Sequence, residues 1–186
     1  NDQYVKSNPR LTKYTQIIRD QNLRLNDQVE KVLNVARLEK DSIELKKEIF
    51  EINQTLSDII NNESLKLKLG NITFTPLESM VYINADKLHL VNVVANMIDN
   101  AIKYSHDVPI VEIKLHDVGI DVTLHICDQG IGIDKENQRK LFDKFYRVST
   151  GDVHNVKGFG LGLFYVKNIC SAHGWPIQVK SEPGEG

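Results

Sequence analysis

Asn96 and Asn100 stand four residues apart in NMIDNAIKYS, with Lys103 and Tyr104 one turn further on. On a helix that spacing gathers them on one face. The plain reading is a solvated helix face. The chemical reading is that neutral amide oxygens ligate a hard cation such as Mg²⁺, which keeps several waters and takes phosphate oxygens for the rest, while the lysine neutralises the same phosphates. In DQGIGID, Asp128 ends an apolar strand and is followed by Gly130 and Gly132. That pattern fits an Asx turn closing a strand. It equally fits a carboxylate that accepts a hydrogen bond from an amino group on a buried base, with glycines letting the backbone come close.

Two further segments carry loop chemistry. In LFDKFYRV, Phe142, Phe145 and Tyr146 put aromatic mass beside Arg147. The aromatics taken alone read as core packing. Arg147, at the root of a Ser-Thr-Gly-Asp-Val-His-Asn stretch, is placed to swing paired donors onto a phosphate. In KGFGLGL, Gly158, Gly160 and Gly162 precede a helix containing Leu163, Val166 and Ile169. The plain reading is a flexible hinge, and the chemical one a helix N-terminus that offers free backbone N–H groups to anions. No Lys-Ser or Lys-Thr pair follows these glycines, which excludes the GxxxxGK[ST] phosphate loop. A loop rather than a strand precedes them, which argues against a dinucleotide fingerprint.

The elements that must position these segments follow from periodicity. Leu11, Ile18, Leu25 and Val32 recur every seven residues, with a companion line through Val29, Ala36 and Ile43. This predicts a coiled-coil seam on one helix of roughly 45 Å, ending at the charged stretch 41–47. Residues 49–52 read as a short strand, 55–61 as a helix, and 72–75 and 81–83 as strands on either side of Pro76. A helix is expected over 86–104, with Asp86 as N-cap and Leu88, Val91, Val94, Ala95, Ile98 and Ile102 on its apolar face. Residues 110–115 and 122–127 form a hairpin around Gly119. Helices over 136–145 and 161–172 and a last strand over 177–180 complete the reading.

Composition bounds what such a chain does. The 186 residues carry 41% apolar and 26% charged side chains and a net charge of -2. A length near 150 residues buries roughly two-thirds of the unfolded chain's surface, enough for one core without disulfides or metals. The near-neutral balance gives no electrostatic footprint for nucleic acid. No apolar run approaches the ~18–20 residues of a membrane span, and the N-terminus lacks the apolar stretch of a signal peptide. The chain opens on Asn1 rather than Met, which implies a piece of something longer with any membrane segment upstream. Cys127 and Cys170 sit in apolar segments 43 residues apart, which fits reduced core thiols. No two histidines fall at the close ligand spacings of a zinc site.

The order of the four segments matters more than any one of them. An Asn-x-x-x-Asn helix, a DxGxG strand end, an aromatic pair with Arg and a GxGxG run into a helix fall within about seventy residues. Together they resemble the N box, first glycine box, F box and second glycine box of sensor histidine kinases, members of the wider family of ATPases with the Bergerat fold. Val29 to Lys40, VEKVLNVARLEK, is similar to the end of the second helix of that family's dimerisation and phosphotransfer hairpin. AHGWPIQVKSEPGEG resembles its closing segment, with Trp175 in place of a second glycine and the last strand absent.

The resemblance implies an α+β fold: a long N-terminal helix, then a two-layer α/β sandwich of a mixed sheet with helices on one face. Residues 1–46 would be the second hairpin helix and 47–186 the catalytic ATP-binding domain. ATP and Mg²⁺ would be the cofactors, with Asn100 on the metal and Asn96 supporting the metal-phosphate end. Lys103 would contact phosphate, Tyr104 would border the nucleotide, Asp128 would accept the adenine amino group, and Gly130 and Gly132 would shape that pocket. Arg147 would touch the terminal phosphate, with Lys157 a further phosphate candidate. Phe145 to Gly160 would be a mobile lid, and Gly158, Gly160, Leu161 and Gly162 would hinge it and present backbone donors. Asn96, Lys103 and Arg147 would act on the transferring phosphoryl group.

One departure decides what these residues do alone. The family's acceptor is a His followed by Glu, whereas His89, His106, His116, His125, His154 and His173 are followed by Leu, Asp, Asp, Ile, Asn and Gly. The first hairpin helix, with the acceptor, would lie upstream of residue 1. The expectation is therefore the cytoplasmic, ATP-binding part of a membrane-anchored sensor kinase. It would be homodimeric through the helical hairpin in the parent protein and would pass its phosphoryl group to the receiver domain of a response regulator. The alternative in another class is an ATP-gated dimerisation or interaction module of the same ATPase family without kinase activity.

Overall fold

In this computed structural model, residues 10–19, 21–22, 25, 29, 43–106, 108–148 and 159–186 are described. The chain divides into two compact units, Asn1–Ser42 and Ile43–Gly186. In the first, the described residues are helical, and Ile18, Leu25 and Val29 of the expected seam are exposed. Val32 and Ala36 lie outside the described residues. Ile43, expected as the last companion position, instead falls in the irregular segment 43–47.

The second unit opens with β1 (Glu48–Glu51) and α1 (Ile52–Ser64). Glu51 starts that helix because its carboxylate accepts the backbone N–H groups of Asn53 and Gln54, satisfying donors that a helix N-terminus leaves orphaned. Ile52, Thr55, Leu56, Ile59 and Ile60 are its buried positions, the spacing of one helical face. Then come β2 (Asn71–Thr75), β3 (Tyr82–Ala85) and α2 (Lys87–Lys103). They are followed by β4 (Ile110–Asp117) and β5 (Val122–Asp128), α3 (Lys135–Lys140) and α4 (Gly162–His173).

Two sheets result. β1 and β3 pair antiparallel, with Phe50 opposite Ile83. In the other, β4 lies between β2 and β5, parallel to the first and antiparallel to the second. Along β4 the alternation is strict: Val111, Ile113 and Leu115 are buried while Glu112, Lys114 and His116 face outward. Such a pattern means one covered face and one solvated face. The covered face meets α1 and α2 in a core that contains Leu56, Val94, Ile98, Val111 and Ile113. The expected mixed sheet with helices on one face is what the chain builds.

Four expectations are corrected. Leu88 is exposed and the buried line of α2 runs through Leu90, Val94, Ile98 and Ala101; Leu88 precedes Leu90 by two residues, about 200° around the helix. The helix over 136–145 is only the six residues of α3, because the chain passes into i→i+3 turns, with Leu141 N–H bonded to Gln138 O and Asp143 N–H to Lys140 O. Residues 177–180 form no strand, since a strand needs a ladder partner and the pairings are β1 with β3, β2 with β4 and β4 with β5. Cys170 is buried but Cys127 is exposed on β5, because strand alternation turns Cys127 to the face that carries His125.

Candidate functional site

Helix α2 supplies the first wall. Asp86 caps its N-terminus by accepting the N–H of His89 at 3.0 Å, so the apolar positions bury on the sheet and the Asn96–Asn100 line is left toward α4. Asn96 Nδ2 donates to Asn92 O at 2.8 Å, which orients the carboxamide. Asn100 is half-buried, and its side chain has no hydrogen-bond partner among the described residues, a state that suits an oxygen awaiting a ligand. Lys103 pairs with Asp99 one turn back. An exposed i,i+4 pair of this kind is worth only about 0.3–0.5 kcal/mol, so it would hold the ammonium only weakly against a competing anion.

The end of α2 is tied to the end of β5. Tyr104 donates its N–H to Asn100 O and accepts the N–H of Ile131 at 3.0 Å, and Ser105 bridges to Gly130. Gly130 is buried, and a Cβ there would lie 2.7 Å from both Tyr104 O and Asp128 Oδ1, so only glycine permits the approach. Asp128 Oδ1 accepts the N–H of Gly130 at 2.9 Å, the Asx turn of the plain reading. The other carboxylate oxygen, Oδ2, has no hydrogen-bond partner among the described residues, so turn and acceptor coexist in one side chain. Gly132 holds a left-handed backbone, φ 66°, where the chain passes the segment 181–184: Ser181 Oγ accepts Ile133 N–H, and Gly184 N–H reaches Ile131 O, both at 2.8 Å.

The aromatic segment meets the glycine run. Phe145 N–H donates to Gly160 O at 3.1 Å, and Phe145 itself has φ 62°, uncommon for a bulky residue and costing of order 1–3 kcal/mol. Phe145 is 60% exposed rather than packed in the core, because that backbone turn points it outward. Arg147 stands exposed two residues on. Leu161 is buried and its carbonyl accepts Tyr165 N–H, which leaves its backbone N–H as the group it could offer a ligand. No side chain caps the N-terminus of α4, and a Cβ on Gly162 would touch Asn96 Oδ1 at 3.0 Å. Asn96 and the orphan donors of α4 therefore share one corner, with Asn100 one turn further along α2. Lys157 and Gly158, with most of the expected lid, lie outside the described residues.

Residues 85–186 match the family described as histidine kinase-, DNA gyrase B-, and HSP90-like ATPase. The chain belongs to that ATPase family. Within it the likeness is to sensor histidine kinases. The chain is 40% identical to the sensor protein RprX of Bacteroides fragilis over 91% of its own length and 34% of the relative's. It is 34% identical to the sensor protein SrrB of Staphylococcus aureus over 91% of itself and 29% of that protein. It thus spans about a third of the length of these curated relatives. A solved structure of full-length ShkA in complex with AMPPNP superposes with a TM-score of 0.82 at 24% identity, covering 96% of this chain and 37% of that one; that likeness concerns the fold.

The sequence reading missed the far end of this ATPase domain's α2–α4 pair. Asp86 is 6% exposed, its Oδ2 accepts Lys46 N–H at 2.8 Å, and its own N–H donates to His173 Nε2 at 3.1 Å. His173 Nδ1 faces Ile169 O at 2.9 Å, and the ring stacks on Trp175 at 3.9 Å. Gly174 takes the left-handed C-cap, φ 75°, so Trp175 is free to stack where a second glycine was expected. Burial lowers the His173 pKa, with Lys47 and His89 acting the same way against Ile169 O and Asp86. For Asp86, burial pushes upward but is outweighed by the N–H groups of His89 and Lys46, with His89 and His173 adding to them, so its carboxyl sits below its ordinary value.

Both shifts act in one direction. In each case the unfolded chain binds the proton more readily, so stability falls on acidification. The His173 contribution is complete above its ordinary 6.5 and is lost as pH falls through the depressed folded value. The Asp86 contribution is complete above 3.8 and is lost below it in the same way. Melting curves between pH 8 and 5 should show the first loss at about 2–4 °C per kcal/mol, and His173→Gln should flatten it.

Proposed function

We propose that this chain is the ATP-binding catalytic part of a sensor histidine kinase, with residues 1–46 the second helix of a dimerising hairpin and 47–186 the catalytic domain. Asn100 would hold Mg²⁺, which when bound would supply positive charge against the phosphates. Asp128 would accept the adenine amino group through Oδ2, with Gly130 and Gly132 shaping the pocket and Tyr104 along its border. Asn96 would steady the metal-phosphate end, Lys103 and Arg147 would take the charge of the transferring group, and the N–H groups at Leu161 and Gly162 would hold phosphate. Lys157 and the glycines 158 and 160 would work the lid. Catalysis of this kind rests on positioning and charge neutralisation rather than covalent work by the domain.

The observation that supports this most is the contact of Gly162 with Asn96, which sets an uncapped helix N-terminus beside the carboxamide line. Phosphoryl transfer would go to a histidine of the dimerisation hairpin and then to an aspartate on a receiver domain. None of the six histidines here precedes a Glu, so the acceptor would come from outside these residues. Among the described residues no helix is long and apolar enough to cross a membrane, and we assign the chain to the cytoplasmic side of an anchored parent.

Calorimetric titration tests this. ATP should bind, and Mg²⁺ should tighten binding by about tenfold, equivalent to 1.4 kcal/mol, a gain that Asn100→Ala removes. No binding by the folded chain would overturn the reading. Incubated alone with labelled ATP, the chain should acquire no acid-labile phosphate, and appreciable label on any of its histidines would refute the assignment of the acceptor.

A further inference from the structure

Helices α2 and α4 run antiparallel along a line of polar contacts. Asn96 lies against Gly162 at one end. In the middle His89 Nδ1 and the Tyr165 hydroxyl are 2.7 Å apart, and at the far end Asp86 N–H meets His173 Nε2. Asp86, His89 and Asn96 fall at helical intervals on α2, as do Gly162, Tyr165, Ile169 and His173 on α4. Tyr165 is buried, with the Asn92 side chain near its hydroxyl beside His89. Asn92 in turn accepts the Asn96 carboxamide through its carbonyl. Tyr165, one turn into α4, is thus held to α2 at His89, and the next turn of α2 carries the Asn92 carbonyl that holds the side chain facing the first residue of α4.

We propose that Tyr165, through His89 and Asn92, is a positioning residue that fixes the register of α4 on α2 and so sets the distance between the α4 N-terminus and Asn96. This rests on the nucleotide-binding reading and adds a determinant of phosphate recognition to it. Apolar packing alone specifies a helix pair's register weakly, whereas a buried polar partner specifies it at a defined depth, as a lone Asn does in a coiled-coil seam. The lever is short. A slip of one residue moves α4 by 1.5 Å, and a misplacement of about 1 Å at a reacting group is enough to cost on the order of 10²-fold. Relaxation without a full slip is a fraction of that.

The test is Tyr165→Phe, which removes one oxygen and keeps the ring in the core. ATP affinity should fall about tenfold while adenosine affinity stays at the wild-type value, because the purine contacts at Asp128 lie on β5 and not on α4. A tyrosine that merely stabilised the fold would lower both alike or neither, and either result would overturn the proposal. In the nucleotide-free protein, the Gly162 amide and the Asn96 side-chain amide resonances should shift together in the variant. Unmoved resonances would overturn it independently of any ligand. A coupled shift in the variant, with a wild-type protein that binds no ATP, would sink the nucleotide reading, and with it the role of the contact in phosphate recognition, while leaving the register claim standing.

Discussion

Asp128→Asn should weaken ATP binding by about a hundredfold and leave the melting curve where it is. The second half of that expectation comes from the Asx turn: Oδ1 holds the N–H of Gly130 at 2.9 Å, and an asparagine carbonyl oxygen does the same work. The first half comes from Oδ2. In the carboxylate it is an acceptor left over from the turn, and in the amide it becomes an NH₂ that, on the proposed reading, would meet the adenine amino group donor to donor. A hydrogen bond to a charged partner is worth about 1.5–3 kcal/mol, or roughly 10- to 150-fold, and the opposed donors add to the loss. Guanine carries an oxygen at the same ring position, so the variant's preference for ATP over GTP should narrow as well. Calorimetry with both nucleotides reads each effect. Wild-type ATP affinity in the variant would remove Asp128 from the base site.

What was legible in the sequence is what local chemistry decides. Asp86 as a cap, the extent of α2 and the hairpin around Gly119 all depend on residues within a turn or two of each other, and the structure has them. The four motif segments were legible for the same reason, since each is contiguous. Their joining was not. That Gly162 would sit on Asn96, or Gly130 on Tyr104, depends on an antiparallel helix pair and on where β5 ends, and no spacing records either. His116 and His125 illustrate the point away from the site: nine residues apart in the chain, they become neighbours across β4 and β5 with ring centroids 4.7 Å apart. The failures have a common cause too. The helix over 136–145 and the strand over 177–180 fail on what each segment meets in the fold: one runs into turn geometry at Leu141 and the other finds no ladder partner among the described residues. Phe145 looked like core, yet its left-handed backbone is set by Gly160, fifteen residues on.

Gly160→Ala should be the most damaging change at the lid's root, and Gly174→Ala shows why. Both glycines hold nearly the same left-handed backbone, φ 68° and 75°, so an alanine at either meets the same intrinsic strain of about 1–2 kcal/mol. Their surroundings differ. At Gly174 a Cβ would meet nothing within 4 Å, whereas at Gly160 it would lie 2.5 Å from Tyr146 O and 2.7 Å from the Phe145 carbonyl carbon. Those are backbone atoms and cannot rotate away. The relief open to the chain is to part Gly160 from Phe145, which gives up the Phe145 N–H to Gly160 O bond, worth about 1 kcal/mol. The total is then roughly 2–3 kcal/mol, a fall of about 4–12 °C in Tm, against about half that for Gly174→Ala. The larger difference should appear in binding. Parting the two segments shifts the residues just ahead of α4, and with them the N–H groups beside Asn96, where about 1 Å is enough for a loss on the order of a hundredfold. Gly174 lies at the opposite end of α4, so its alanine variant should bind ATP as the wild type does. Equal loss of affinity in the two variants would mean that backbone strain anywhere in α4 reaches the site, and that the contact between Phe145 and Gly160 has no special hold on it.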